Sequence, residues 1–489
     1  MPAIAVSRSH VRLRPDPLRL ITKPFLPNDP GSLDGKARIE RVIHRILALS
    51  PTEITSSLWE LRASFGERHP DLDEVLMRGF TAVANSVPDG ADLPDDLRRL
   101  IGAYFVHEYS LEGAALTNPS IVPAPDQAGV PNGSLRVIVS VRAVGEGHIS
   151  SIEFRTGTVG PDGDIDLAAP GVPMTGHRRS AIFDKAQFTE KLGEMGAGDG
   201  LVGQILDRLP DPFMITDLDR VVARLRRREA SSEAVQRAIQ VMHWLASSNY
   251  ELAFPQDSEV SQRVLFPSAP IESRGMEDAR LVRFTETDGS VVYFATYTAF
   301  DGFSILPQLI ETTDFQTFRL ATLNGRAAQN KGIAVFPRRV GGRYAALARS
   351  DGESNYLMVS DDVRLWHVAE RIQMPTHPWE LVQIGNAGAP IETEAGWLVV
   401  THGVGPLRRY ALGAILLDLE DPRRVIGHLR EPLLVPEDGE RDGYVPNVVY
   451  SCGSLIHDAR LVIAYGASDT SAGFATVEVD ALLAELTKR

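Results

Sequence analysis

The chain has 489 residues, 43% hydrophobic and 23% charged, which fits a globular protein with two or more domains or one large repeat architecture. A net charge of −14 excludes general binding to a phosphate backbone, which needs excess basic charge, but leaves room for one small anion in a local basic cluster. The single cysteine, Cys452, excludes an intrachain disulfide and fits a reducing compartment.

Residues 1 to about 30 are rich in Pro and Arg, with Arg14-Pro15-Asp16-Pro17 and Lys23-Pro24-Phe25. Proline blocks helix interiors and sheet centres, so this stretch predicts an extended arm on a surface. Arg8, Arg12, Arg14 and Arg19 leave no apolar core for a secretory signal, and no apolar run approaches a membrane span. The expected location is the cytoplasm, with neither nucleic acid nor membrane as a partner.

Residues 33 to about 107 read as helical. Ile39, Val42, Ile43, Ile46 and Leu47 share one face at a spacing of 3.6. Ser50-Pro51-Thr52-Glu53 is a capping box with Pro at the first helical position. Ile54, Leu58, Leu61 and Phe65 form a second stripe, and further helices are expected at Leu72 to Val83 and Pro94 to His107. This front reads as scaffold, with homo-oligomer contacts or one wall of a site as its other open roles.

From about residue 111 the period changes to two. Arg136 to Arg142 and Ile152 to Thr156 are strand-like, and turn signals such as Gly160-Pro161-Asp162-Gly163 separate such runs. One helical interruption is expected over Leu218 to Ser247. Beyond Phe266 short strands and turns follow one another. A polar turn ending in an aromatic recurs, Thr313-Asp314-Phe315-Gln316-Thr317-Phe318 and Ser360-Asp361-Asp362-Val363-Arg364-Leu365-Trp366. Strand sets with a repeated turn predict the blades of a β-propeller; a large β-sandwich would have the same strand content without the recurrence.

The stretch with the most chemistry is Gly275-Met276-Glu277-Asp278-Ala279-Arg280, just before the strand-like Leu281 to Phe284. Strand alternation would send Glu277 and Ala279 one way and Asp278 and Arg280 the other. A neighbouring Arg favours an ionised Asp and burial opposes it, the competition that tunes a general acid and also marks an ordinary buried ion pair. Polar residues at other strand ends are candidates to converge in a propeller's central pocket: Asn118, Asn330-Lys331, Arg349, His402, Asn447 and Asp469. Lys331, Arg349 and His402 together would make an anion site, with His402 a donor open to being charged. The plain alternatives are a solvated Lys, an Arg paired with Asp351 or Glu353, and a core-edge His. No His or Cys metal pattern, Gly-rich phosphate loop or Gly-x-Ser-x-Gly elbow is present.

Taken in order, six blocks resemble glycoside hydrolase family 130: Gly275 to Arg280, Asn330-Lys331 to Phe336-Pro337, Gly388 to Trp397, Thr401-His402-Gly403-Val404, Asn447-Val448-Val449 and Tyr465 to Thr470. The resemblance runs from about Asn118 to the C-terminus. It implies a mainly β fold, a five-bladed β-propeller over 111–489, preceded by an N-terminal arm and α-helical subdomain over 1–110. It further implies inverting cleavage of β-mannosides, in most members by inorganic phosphate to give α-mannose 1-phosphate, in a minority by water on β-1,2-mannosides. By position, Asp278 is the implied general acid, its proton passing through a hydroxyl of the mannosyl ring. Lys331, Arg349 and His402 are the implied phosphate ligands. Asn118, Glu277 and Asp469 are the implied contacts to the mannosyl unit. No cofactor is implied beyond phosphate as co-substrate. Ala279 stands where Pro is common in the family, and Gly332 where Asp is common.

Two rivals remain at this point. A β-1,2-mannosidase would need a second carboxylate to activate water across from Asp278, and the sequence singles none out. A non-catalytic carbohydrate-binding propeller would need no acid beside an anion clamp.

Overall fold

The computed structural model describes residues 4–27, 36–88, 93–197, 200–228 and 233–488. Parts of the two predicted helical stretches, 33–35 and 89–92 in the first and 229–232 in the second, lie outside them. Two compact units are present, Leu18–Ser110 and Met1–Pro17 with Leu111–Arg489.

In the smaller unit, helices Lys36–Leu47, Pro51–Phe65, Leu72–Val83 and Asp95–Ala103 enclose a core of Ile43, Ile46, Leu58, Leu76, Leu100, Ile101 and Phe105. The predicted capping box is formed: the Ser50 hydroxyl accepts from the Glu53 amide, and the Glu53 carboxylate accepts from the Ser50 amide at 2.7 Å. The third and fourth helices cross on glycine; a Cβ on Gly102 would lie 1.7 Å from the Leu76 carbonyl oxygen. Strand Leu20–Pro24 pairs with Val106–Ser110 and ties the two ends of the unit together.

The larger unit is a five-bladed β-propeller. Among the described residues, each blade has a four-stranded antiparallel sheet at its centre. Blade 1 comprises Ala115–Pro123, Leu135–Val144, Ser150–Val159 and Ile165–Leu167. Blade 2 comprises Gly275–Thr285, Val291–Phe300, Ile305–Thr312 and Thr317–Thr322, extended outward by Tyr250–Ala253 and His177–Ser180. Blade 3 comprises Ala334–Val335, Tyr344–Ala348, Asn355–Ser360 and Ala369–Gln373. Blade 4 has Gly396–Val404 paired on one side with Gln383–Asn386 and Ile391–Thr393 and on the other with Tyr410–Leu417, followed by Val425–His428. Blade 5 comprises Val449–His457, Arg460–Ala467, Ser471–Glu478 and, from the start of the chain, Val6–Leu13. The blades touch in the order 1-2-3-4-5-1, which closes the ring.

Strands near the axis are covered on both faces by neighbouring blades. Gly396–Val404 is buried at all nine positions, so its sequence reads as a continuous apolar run instead of an alternating one. The recurring turn has a structural counterpart. Both copies lie between the third and fourth strands of their blades, where Asp314 and Asp362 accept from backbone amides two residues on. Blade 4 repeats the device with Asp418, which accepts from the amides of Glu420 and Asp421, although no aromatic follows to betray it in the sequence.

Two expectations are corrected. The front unit expected over residues 1–110 loses its first seventeen residues to the propeller: Val6–Leu13 is a sheet strand on Ser471–Glu478, and Arg8 and Arg12 both pair with Glu440. The helical interruption is longer than Leu218 to Ser247. It is an insertion of Lys185–Glu194, Gly200–Leu206, Ile215–Arg228 and Glu233–Ser247 with its own core, in which Phe183, Phe188 and Phe213 pack on Leu218, Ile239 and Met242. Among the described residues no helix is long and apolar enough to cross a membrane.

Candidate active site

The seven residues to which the resemblance gives roles line one cavity of the propeller; Asn330 and Asn447, also expected to converge there, are not among its lining residues. Asn118 comes from blade 1, Glu277 and Asp278 from blade 2, Lys331 from the loop entering blade 3, Arg349 from the end of its second strand, His402 from blade 4 and Asp469 from the loop after Arg460–Ala467 in blade 5.

The backbone delivers part of this set through left-handed residues. Asn118 (φ 48°), Asp278 (57°), Asn330 (62°), Ser468 (48°) and Asp469 (49°) all occupy this sparsely populated region, where non-glycine residues cost energy and cluster at functional sites. At Asp278 the cause is a β-bulge: Glu277 pairs with Thr298 and Arg280 with Thr296, so the blade 2 edge carries one extra residue. The expected alternation therefore fails, and Glu277 and Asp278 both line the cavity. The same break in register occurs at Asn118, between Thr117 and Ser120.

Arg280 holds the bulge from beneath. It is 3% exposed; its Nη1 donates to the Asp278 carbonyl oxygen at 3.1 Å and its Nη2 to the Tyr450 hydroxyl at 2.5 Å. Among the described residues, no group hydrogen-bonds to the Asp278 carboxylate. Glu277 is engaged on both oxygens, by Arg142 Nη2 at 2.7 Å and by Lys331 Nζ at 2.5 Å. Asp469 accepts from the Thr117 hydroxyl at 3.4 Å; burial and then the nearby Asp278 carboxylate raise its pKa, against the pull of Arg142.

In the same cavity, Arg349 Nη1 donates to His402 Nε2 at 2.9 Å, and His402 Nδ1 donates to the Asn386 carbonyl oxygen at 3.0 Å. Burial, then the guanidinium groups of Arg349 and Arg280, hold His402 well below the usual histidine range. The expectation that His402 is open to being charged is thus corrected: it is a neutral imidazole. Arg349 is not paired with Asp351, which is occupied by the amides of Glu353 and Ser354. Arg349 Nε, Arg142 Nε and Asn118 Oδ1 are buried and have no hydrogen-bond partner among the described residues. Such groups are costly unless a bound molecule satisfies them.

Several lining residues escaped the sequence reading: Arg142, Gln383, Arg408, Tyr410 and Tyr450. Arg142 left a signal, a cation closing the apolar run Val137 to Val141. Tyr410 and Tyr450 stand in apolar strand sequence that does not set them apart from core aromatics, and Arg408 sits in a tight turn at φ 56° that nothing in the sequence distinguishes from a solvated loop.

A family model described as beta-1,4-mannooligosaccharide phosphorylase, that of glycoside hydrolase family 130, matches residues 239–488, just over half of the chain. The chain belongs to glycoside hydrolase family 130. As a member of this family it is an enzyme of the glycoside phosphorylase type. A 1,2-beta-oligomannan phosphorylase of Thermoanaerobacter sp. (strain X514) is 36% identical over 220 residues, covering 42% of this chain and 70% of that enzyme. A beta-1,2-mannobiose phosphorylase of Listeria innocua serovar 6a is 31% identical over 230 residues, covering 45% of this chain and 63% of that enzyme. The solved structure of the Listeria innocua beta-1,2-mannobiose phosphorylase with beta-1,2-mannobiose aligns over 77% of this chain and 93% of its own, at 21% identity and a TM-score of 0.44.

Proposed function

We propose that the protein is an inverting β-mannoside phosphorylase that moves a mannosyl group from an oligosaccharide to inorganic phosphate, giving α-mannose 1-phosphate. The observation that carries this reading is one cavity that holds both an acid whose carboxylate has no hydrogen-bond partner among the described residues and a guanidinium whose buried Nε is unspent among them. Asp278 supplies the proton that the leaving glycosidic oxygen needs, passed through a hydroxyl of the mannosyl ring. A phosphate oxygen attacks the anomeric carbon from the opposite face, the bond to the leaving oxygen breaks, and the configuration inverts. Phosphate arrives anionic and nucleophilic, so no second carboxylate has to activate it, whereas an inverting hydrolase needs one for water.

In this reading Lys331, Arg349 and His402 form the phosphate end and hold the ion in line against the developing oxocarbenium. Lys331 has three N–H donors and gives one to Glu277. Asn118, Glu277 and Asp469 contact the mannosyl unit. The buried and unpartnered Asn118 Oδ1 supports this, because a sugar hydroxyl would satisfy it. The two relatives named above support a β-1,2-mannoside as the first substrate to try.

One observation favours a second reading. Asp469 is a carboxylate in the same cavity as Asp278 and feels its charge, so a candidate base for water is present and hydrolysis is the rival. Incubation of β-1,2- and β-1,4-mannosides with and without phosphate separates the two. Mannose 1-phosphate formed only with phosphate supports phosphorolysis; free mannose in both supports hydrolysis; no product with either linkage would sink both.

A further inference from the structure

We infer that the protein has a second, non-catalytic ligand site: a pocket for a tetrahedral oxyanion between the helical insertion, the fourth strand of blade 2 and the last turn of blade 3. The occupant is free phosphate or the phosphate group of a small ester. The inference stands apart from the phosphorylase reading, because this pocket and the central cavity share no lining residue.

Four elements bring donors to it. Helix Lys185–Glu194 contributes Lys191, strand Thr317–Thr322 contributes Arg319, the segment joining blades 2 and 3 contributes Asn324, and the turn before Ala369–Gln373 contributes Arg364. Arg319 is half-buried, and among the described residues its guanidinium has no hydrogen-bond or ion-pair partner. Glu311 and Glu251 lie opposite it on the two neighbouring strands. Glu311 is taken by Arg364, whose Nε and Nη2 donate to it at 2.7 and 2.8 Å and leave Nη1 over, and Glu251 forms no ion pair among the described residues. Asn324 is 4% exposed; its Oδ1 accepts from the Thr322 hydroxyl at 3.3 Å, while its Nδ2 has no partner among the described residues. Lys191, also buried, gives one N–H to the Leu323 carbonyl oxygen at 2.9 Å and one to Glu194 at 3.1 Å, which leaves a third. Asp184, the only carboxylate among the described lining residues, caps its own helix by accepting from the Gln187 amide at 2.9 Å.

The groups left unspent in this wall are mostly donors, on three cations and one amide. Donors held away from water without an acceptor are costly, and an anion supplies both the acceptors and the opposite charge. The cations come from a helix, a strand and a turn. A planar carboxylate is matched by one guanidinium fork, whereas a tetrahedral anion offers oxygens in several directions at once. The cavity measures about 130 Å³. That is below the roughly 300–1,000 Å³ of pockets that enclose a drug-sized ligand, so it suits a phosphate group and leaves the rest of an ester outside. Ile182, a lining residue that is 59% exposed, marks the open side. The walls are held before anything binds: Gln187 Nε2 donates to Asp362 at 2.8 Å, and Asn249 Oδ1 accepts from the Thr322 amide at 2.9 Å. A preformed wall spends little binding energy on ordering itself.

The test is a tungstate soak of crystals of the full wild-type chain, followed by titration calorimetry. Tungstate, an electron-dense tetrahedral oxyanion, should give an anomalous peak between Lys191, Arg319 and Arg364. A peak in the central cavity alone would overturn the inference and leave the phosphorylase reading standing. A peak here alone would support the inference and count against that reading. In solution, Arg349→Ala protein, with its central cavity weakened, should still take up inorganic phosphate, and adding Arg319→Gln should weaken that uptake by about tenfold. Arg319→Lys, which keeps the charge, should weaken it less. Inorganic phosphate binding more tightly than glucose 6-phosphate would identify the free ion as the occupant, and the reverse order an ester; both support the site. Malonate, whose carboxylates are planar, binding as tightly as either would overturn the tetrahedral assignment. Uptake unchanged by Arg319→Gln would overturn the site, and the wild-type soak decides the matter if that variant fails to fold.

Discussion

Two arginines of the propeller have opposite surroundings. Arg155 in blade 1 is 2% exposed and is met by Glu112, by Glu153 at 3.2 Å and by the Phe154 carbonyl oxygen at 3.0 Å. Arg349 in blade 3 has a neutral imidazole for its partner and a buried Nε with none among the described residues. Charge that is matched inside the protein serves the fold, because removing one side strands the other in a poor solvent. Charge left unmatched at a cavity serves something that arrives. The same contrast separates Glu440, shared by Arg8, Arg12 and Tyr465 where the chain's start meets its end, from the Asp278 carboxylate with no partner among the described residues.

Four experiments would break or sharpen that contrast. Asp278→Asn should cut turnover by about a thousandfold while circular dichroism and the melting temperature stay near wild type; an active variant removes the acid assignment. Glu112→Gln should do the reverse, costing about 3 kcal/mol of stability in denaturant melts by leaving Arg155 underpaired, with kcat on the folded fraction preserved. Arg349→Ala and Lys331→Ala should each raise the phosphate KM by about tenfold, and neither should lower the melting temperature as Glu112→Gln does. Destabilisation of similar size in both sets would mean that the cavity cations are structural too.

The smallest effect expected is a pH slope. His402 is neutral in the folded protein and takes a proton near pH 6.5 when unfolded, so below that pH the unfolded state binds the extra proton. Stability should therefore be full above pH 6.5 and fall by about 1.4 kcal/mol per pH unit beneath it from this group alone. Denaturant melts of His402→Gln should show a shallower slope between pH 6.5 and 5; an identical slope would mean that His402 titrates normally.

Much of the site was readable in advance. The order of Glu277-Asp278, Lys331, Arg349, His402 and Asp469 along strand ends, with a turn recurring at Asp314 and Asp362, was enough to expect one ring and one pocket. The facing of Glu277 and Asp278 was not, because a bulge adds a residue that no alternation pattern counts. The closing strand Val6–Leu13 read as an extended surface arm, because its partner lies more than 450 residues away and no local pattern points to it.

The sequence alone determined the chemistry on offer: acids and bases at the mouths of short strands, in a family order, within an acidic chain that keeps a few cations together. Only the tertiary structure decided how each group is spent. Whether a lone pair meets a guanidinium, or a carboxylate meets a lysine, depends on contacts between different blades. Those contacts are set by left-handed backbone turns and by burial, and neither is written in the neighbouring residues.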